Sequence, residues 1–222
     1  MSRIRNAWGA WLLSGALLLM TGALARADDA PAQPADQPIL RIEAGTHTAM
    51  VLGLSLSRDG ATLATASNDT TVRLWSMPKL ELQRTIHLPT DAVSEGSAAA
   101  VDFSPDGKFL VTSGYTGAWG NENGPWCFYV IETATGEIRR TVCDLPQRVF
   151  QLGFSPDGKY LVATLKTALS KKEGAGLRIY NAADYSLYRS DMDYADTAIS
   201  FDFDRTTGRL VTTSLDGKLR LY

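Results

Sequence analysis

An all-β fold of repeated four-stranded blades is predicted by three observations. A short strand followed by a glycine turn recurs four times along the chain. The segments between those turns alternate apolar and polar residues and are rich in β-branched and aromatic side chains. Beyond the N-terminal segment, no stretch carries the 3.6-residue periodicity of an amphipathic helix.

The four units read GLSLSRDG over Gly53–Gly60, AVDFSPDG over Ala100–Gly107, QLGFSPDG over Gln151–Gly158 and SFDFDRTTG over Ser200–Gly208. In each, a first strand runs into a turn. Proline pre-sets φ in the turn, and glycine accepts the positive φ that other residues resist. A second strand follows, such as Leu110-Val111-Thr112 or Leu210-Val211-Thr212. A third ends in an aromatic residue: VRLW to Trp75, WCFY to Tyr129, LRIY to Tyr180 and LRLY to Tyr222. A more polar fourth strand closes the unit over 80–88, 138–145 and 186–190. Four short strands at a spacing of roughly 47 to 51 residues describe the blades of a propeller. The blades are expected at about 50–90, 99–146, 149–191 and 198–222.

The first 44 residues divide differently. Arg3 and Arg5 precede an apolar run that ends in Ala25-Arg26-Ala27, the pattern of a signal peptide cleaved after Ala27. An uncleaved membrane anchor is the alternative, because residues 7–25 are nearly long enough to span a bilayer. Residues 28–38 hold Pro31, Pro34 and Pro38 with almost no bulky apolar side chain, and read as a linker. An extended segment at 39–44 then precedes the first unit. The formal net charge is −2, and the one dense basic pair, Lys171-Lys172, is followed at once by Glu173. That balance points away from nucleic acid, whose phosphates demand clustered Lys and Arg.

On these units the chain resembles WD-repeat β-propeller proteins. Members lock each blade with a buried network of His, Ser or Thr, Asp and Trp. The resemblance assigns His47, Ser67, Asp69 and Trp75 to that network in the first blade, and Ser214 and Asp216 in the fourth, where Tyr222 replaces the Trp. Ser76 stands where the family has the Asp of its Trp-Asp pair, and the second and third units lack the short Asp turn. A narrower resemblance is to bacterial proteins that join such a propeller to a caspase-like peptidase domain. It rests on Ile39–Glu43, the Gly-Thr-His-Thr run and VTTSLDGKLRLY at 211–222. No residue of this chain inherits a catalytic role from it. The expected ring is larger than four blades, so the chain reads as part of a longer propeller, with closure of a four-bladed ring as the alternative.

Function is expected at the insertions between second and third strands. Tyr115, Trp119, Asn121, Glu122 and Asn123 in one, with Lys171 and Lys172 in the next, offer the aromatic-plus-polar mix of a partner surface. Solvated insertions without a partner are the alternative. Cys127 and Cys143 oppose each other if Ala134-Thr135-Gly136 is a three-residue hairpin loop with Gly136 left-handed, and export permits their disulfide. A loop of different length would place the thiols on opposite faces. Asp102, Asp202 and Asp204 in the first strands resemble a calcium site only loosely. No nucleophile–base pair, phosphate loop or metal spacing appears. The chain is therefore read as a non-catalytic binding or scaffold propeller, periplasmic or secreted, with a protein partner, no cofactor and no metal. Regulation of a peptidase and small-ligand binding are the alternatives.

Overall fold

The computed structural model describes residues 45–89, 97–115, 126–167 and 176–222. The signal segment, linker and extended strand expected over 1–44 lie outside the described residues. Among those described, all regular structure is β and no helix is long and apolar enough to cross a membrane.

Among the described residues, fifteen strands form four antiparallel meanders. Blade 1 comprises β1 (Val51–Leu56), β2 (Thr62–Ser67), β3 (Thr71–Ser76) and β4 (Glu81–His87). Blade 2 comprises β5 (Ser97–Phe103), β6 (Phe109–Tyr115), β7 (Trp126–Glu132) and β8 (Ile138–Leu145). Blade 3 comprises β9 (Val149–Phe154), β10 (Tyr160–Leu165), β11 (Gly176–Asn181) and β12 (Leu187–Asp191). Blade 4 has three strands, β13 (Ala198–Phe203), β14 (Leu210–Ser214) and β15 (Leu219–Leu221).

The repeated turn is held by side chains more than by proline. Ser104 Oγ donates to Asp106 at 2.6 Å and accepts from the Phe109 amide, while Asp106 accepts from the Lys108 amide. Ser155 with Asp157 repeats these bonds, and so does Ser57 with Asp59, where Arg58 replaces the proline. The glycine after each aspartate is left-handed (Gly60, Gly107 and Gly158, φ 70–73°).

Blades stack through their first strands: β1 packs on β5, β5 on β9, and β9 and β10 on β13. Two large clusters fill the first two junctions and a smaller one the third. Blade 1 contributes Ala64, Ala66, Val72 and Leu74, all at most 3% exposed, against Val101, Phe103 and Leu110 of blade 2. Small residues let the inner strands approach closely. A Cβ on Gly53 would sit 2.7 Å from the Ala99 carbonyl oxygen. No comparable packing joins blade 4 to blade 1 among the described residues, so the ring is open.

One alignment of third strands is corrected. Trp75 pairs with Leu63, Tyr180 with Leu161, and Tyr222 exchanges backbone hydrogen bonds with Leu210. In blade 2 the residue opposite the equivalent Leu110 is Ile131, not Tyr129. The third strand of blade 2 runs three residues past its aromatic, to Glu132, whereas that of blade 1 runs one past Trp75.

Candidate functional site

His47 precedes β1 and reaches back onto blade 1. Its Nδ1 lies 2.9 Å from Asp69 Oδ2, and its Nε2 lies 2.7 Å from Thr65 Oγ1. Trp75 Nε1 donates to the same Thr65 oxygen at 2.8 Å. Asp69 sits in the turn between β2 and β3, which Thr70 completes at φ 66°. There it accepts from the Thr71 hydroxyl at 2.6 Å and from the amides of Thr71 and Thr48. Ser67 Oγ donates to the Ala49 carbonyl and accepts from the Asp69 amide. The His47 and Asp69 side chains are 7% and 6% exposed. Burial pushes the Asp69 carboxyl up, but the bonds from Thr71, Thr48 and His47 outweigh it and hold the group below its usual range.

Asp, His and a hydroxyl in line resemble an acyl-transfer triad, yet the arrangement is poorly suited to that chemistry. A carboxylate at Nδ1 holds the proton of the neutral ring there, so Nε2 accepts from Thr65. The Thr65 oxygen that would attack is also the acceptor of the indole N–H, and the imidazole that would remove its proton is buried. The network locks His47, Thr65, Asp69 and Trp75 to one another.

Blade 4 builds the same network from different chemistry, at one constant offset along the chain. Tyr194 takes the place of His47, Thr212 of Thr65, Asp216 of Asp69 and Tyr222 of Trp75. Tyr194 Oη is 2.7 Å from Thr212 Oγ1 and 3.0 Å from Tyr222 Oη. Tyr222 donates onward to Asp191. Burial first, and then that bond, push the Tyr222 phenol far above its ordinary range. Asp216 is held by Arg220 at 2.7 Å, and the Arg220 guanidinium lies 3.8 Å from the centre of the Tyr194 ring. Ser214 Oγ donates to the Asp196 carbonyl, as Ser67 does to Ala49. Sequence reasoning named Ser214, Asp216 and Tyr222 but missed Tyr194 and Arg220. Their only signal is their distance from the fourth turn.

Asp102 is the polar clasp of the inner strands. Oδ1 accepts from Ser55 of blade 1 at 2.8 Å and Oδ2 from the Phe154 amide of blade 3 at 2.9 Å. Burial raises its carboxyl above the usual range despite these bonds. Gly153 leaves room, since a Cβ there would stand 3.1 Å from Asp102 Oδ2. Asp204 is committed to its own turn through Thr206 and Thr207. Asp202 accepts from the Phe203 amide. Among the described residues no group of three or more His, Cys, Asp or Glu could hold a metal ion.

Cys127 and Cys143 lie at disulfide distance, S–S 2.03 Å. The loop differs from the expected one. Glu132 pairs with Glu137 across Thr133–Gly136, and Gly136 is left-handed at φ 77°. A bulge between Val130 and Ile131 then restores the register that brings the cysteines together.

Trp119, Asn121, Glu122, Asn123, Lys171 and Lys172 lie outside the described residues. Tyr115 ends β6, where its backbone pairs with Trp126 and Ser97. On the opposite rim, between blades 2 and 3, lies a groove of about 570 Å³. Pro105, Phe109, Phe154 and Tyr185 line it, with Asp106, Asp157, Arg139 and Arg140 around them. Arg139 is committed to Glu132 and Glu137.

The family model described as "WD domain, G-beta repeat" matches residues 39–76 and 82–118. No curated protein matches the chain. Among solved structures, the crystal structure of the computationally designed Ika4 protein superposes with a TM-score of 0.59. The match covers 80% of this chain and 92% of that one at 14% identity, and so concerns the fold alone. The chain thus carries WD repeats in two places on an all-β, propeller-type fold.

Proposed function

We propose that the chain is a non-catalytic protein-interaction or scaffold propeller of the cell envelope. Its partner surface is the rim from which the β6–β7 and β10–β11 connections leave. The observation that carries this reading is the stacking of blade 3 on blade 2 through β9 and β5, where the Phe154 amide donates to Asp102 at the same point of the repeat as the Phe103 amide donates to Ser55 one junction earlier. Blades stacked in the same sense send equivalent connections from the same rim. Along the sequence, Tyr115, Trp119, Asn121, Glu122 and Asn123 fall at the first of these connections, and Lys171 and Lys172 in the second. The polar residues best placed for chemistry are engaged in blade-locking networks instead. An oxidising envelope compartment fits cysteines at bonding distance.

A photo-reactive amino acid placed at Trp119 in cells tests the reading. One discrete cross-linked protein, lost when Lys171 and Lys172 are both changed to Glu, is expected. No cross-link, or a diffuse pattern indifferent to those changes, overturns it. The intact mass of the exported protein tests the location separately, with loss of residues 1–27 expected.

A further inference from the structure

The turn between third and fourth strands is built alike in blades 1, 2 and 3 but filled differently. Leu80, Gly136 and Tyr185 each close it from the left-handed region (φ 56°, 77° and 57°), donating their amides to the carbonyls of Ser76, Glu132 and Asn181. Glycine alone is unstrained there. At the junction of blades 1 and 2 an arginine covers that glycine. Arg84 of β4 donates to the Thr135 and Ala134 carbonyls at 2.7 and 3.0 Å. A Cβ on Gly136 would stand 2.8 Å from Arg84 Cδ. Arg140 of β8 is the counterpart of Arg84. Arg84 pairs with Leu74 and Arg140 with Val130, and each of these precedes the third-strand residue that pairs with Leu63 or Leu110. At the junction of blades 2 and 3, Tyr185 stands in the place of the glycine. Its ring packs edge-on against buried Phe128, with centroids 6.2 Å apart. Arg140 makes no hydrogen bond or ion pair among the described residues. The groove of about 570 Å³ opens between Arg140, Tyr185, Phe109 and Phe154.

The other charges at the groove are answered from their own blades. Asp106 and Asp157 each accept from a serine hydroxyl and a lysine amide of their turns, and the Lys108 and Lys159 ammonium groups stand 3.6 and 3.2 Å from them. Arg139 pairs with Glu132 and Glu137. Asp184 accepts from the Ser186 amide and hydroxyl. Two donors are left over among the described residues: the Arg140 guanidinium and the Tyr185 phenol, to which no protein group is hydrogen-bonded. They face the same space, since the Arg140 charge acts on the phenol. Burial first, and then the Asp106 carboxylate, raise that phenol above its ordinary range, so it stays a donor.

We propose that this groove binds a small-molecule carboxylate carried on an aromatic or aliphatic body. The carboxylate accepts from the Arg140 guanidinium and the Tyr185 phenol, which no other acceptor engages. The apolar body covers Phe109 and Phe154, both only partly buried. The volume suits one small molecule, because such sites hold about 300 to 1,000 Å³. A cationic ligand would meet Arg140 unopposed and would find Asp106 and Asp157 already bonded. The site lies on the rim opposite the one proposed for the protein partner and does not depend on that reading.

The test is titration of the whole chain with phenylpropanoate, followed by backbone amide NMR, with phenylpropylamine and phenylpropanol as controls. The acid is expected to shift amides centred on Phe109, Phe154 and Tyr185. The amine and the alcohol are expected to bind more weakly by about tenfold, the worth of a charge-assisted hydrogen bond. Arg140→Gln alters an exposed side chain that bonds nothing in the protein, so amides away from the groove should stay in place. It is expected to weaken the acid by about tenfold. Tyr185→Gly is expected to abolish binding, because Arg140 can then lie on the turn as Arg84 does. Unchanged affinity for the acid in Arg140→Gln overturns the proposal. So does an amine that binds as tightly as the acid, a set of shifts centred elsewhere, or a chain that binds none of the three.

Discussion

The phenolic oxygen of Tyr194 lies 2.7 Å from the hydroxyl of Thr212, the place that His47 takes against Thr65 in the first blade. Donor counting sets the direction. Tyr222 gives its proton to Asp191, so Tyr194 donates to Tyr222 and accepts from Thr212. Tyr194→Phe keeps the buried ring and removes the link. It is expected to cost about 1 to 2 kcal/mol, read from the urea midpoint at unchanged slope.

Asp69 and Asp102 carry opposite pH signatures. The folded Asp69 carboxyl is held below its unfolded value, so its contribution is present above about pH 4 and lost as pH falls through the lowered value. The stability gap between parent and Asp69→Asn should therefore narrow in acid. Asp102 is raised, so protonation favours the folded state. The parent should gain on Asp102→Asn as pH falls from neutral toward about 4. Denaturation of the three proteins across that range checks both signs.

Reduction should loosen blade 2. The two sulfurs join adjacent strands across a sequence separation of 16, and opening so short a loop is expected to cost about 2 to 4 kcal/mol. Cys127→Ala with Cys143→Ala should show the same loss, and that variant should be insensitive to reductant. An unreduced mass lacking two hydrogens checks the bond directly.

Gly53→Ala probes the closeness of β1 and β5. The added methyl would meet the Ala99 backbone rather than a flexible side chain, so blade 1 must shift. A loss of about 1 to 3 kcal/mol is expected, as for other overpacked sites. Gly45→Ala, with open space around its Cβ, separates packing from backbone strain at a left-handed glycine.

The groups that local chemistry dictates were legible in the sequence. The four units show because a strand alternates with period two and a left-handed glycine must follow each turn. The family resemblance pointed to His47, Ser67, Asp69 and Trp75, but Thr65, whose oxygen bonds both His47 and Trp75, carries no signal of its own in the sequence. The pairing of Cys127 with Cys143 was reached from a three-residue loop, whereas the loop has four residues and a bulge at Val130 compensates. Bulges answer to twist and packing, which no turn motif records.

What the sequence by itself determined is the kind of element: short strands, their turns and their number per unit. The tertiary structure alone decided which residues meet between units. Tyr194 replaces a histidine because burial beside Thr212 leaves a phenol the right reach, and Asp102 spans three blades because Gly153 leaves space for its carboxylate. Such contacts join residues dozens of positions apart, and their geometry is set by how closely two sheets approach. Local propensity acts over a few residues and carries no term for that distance.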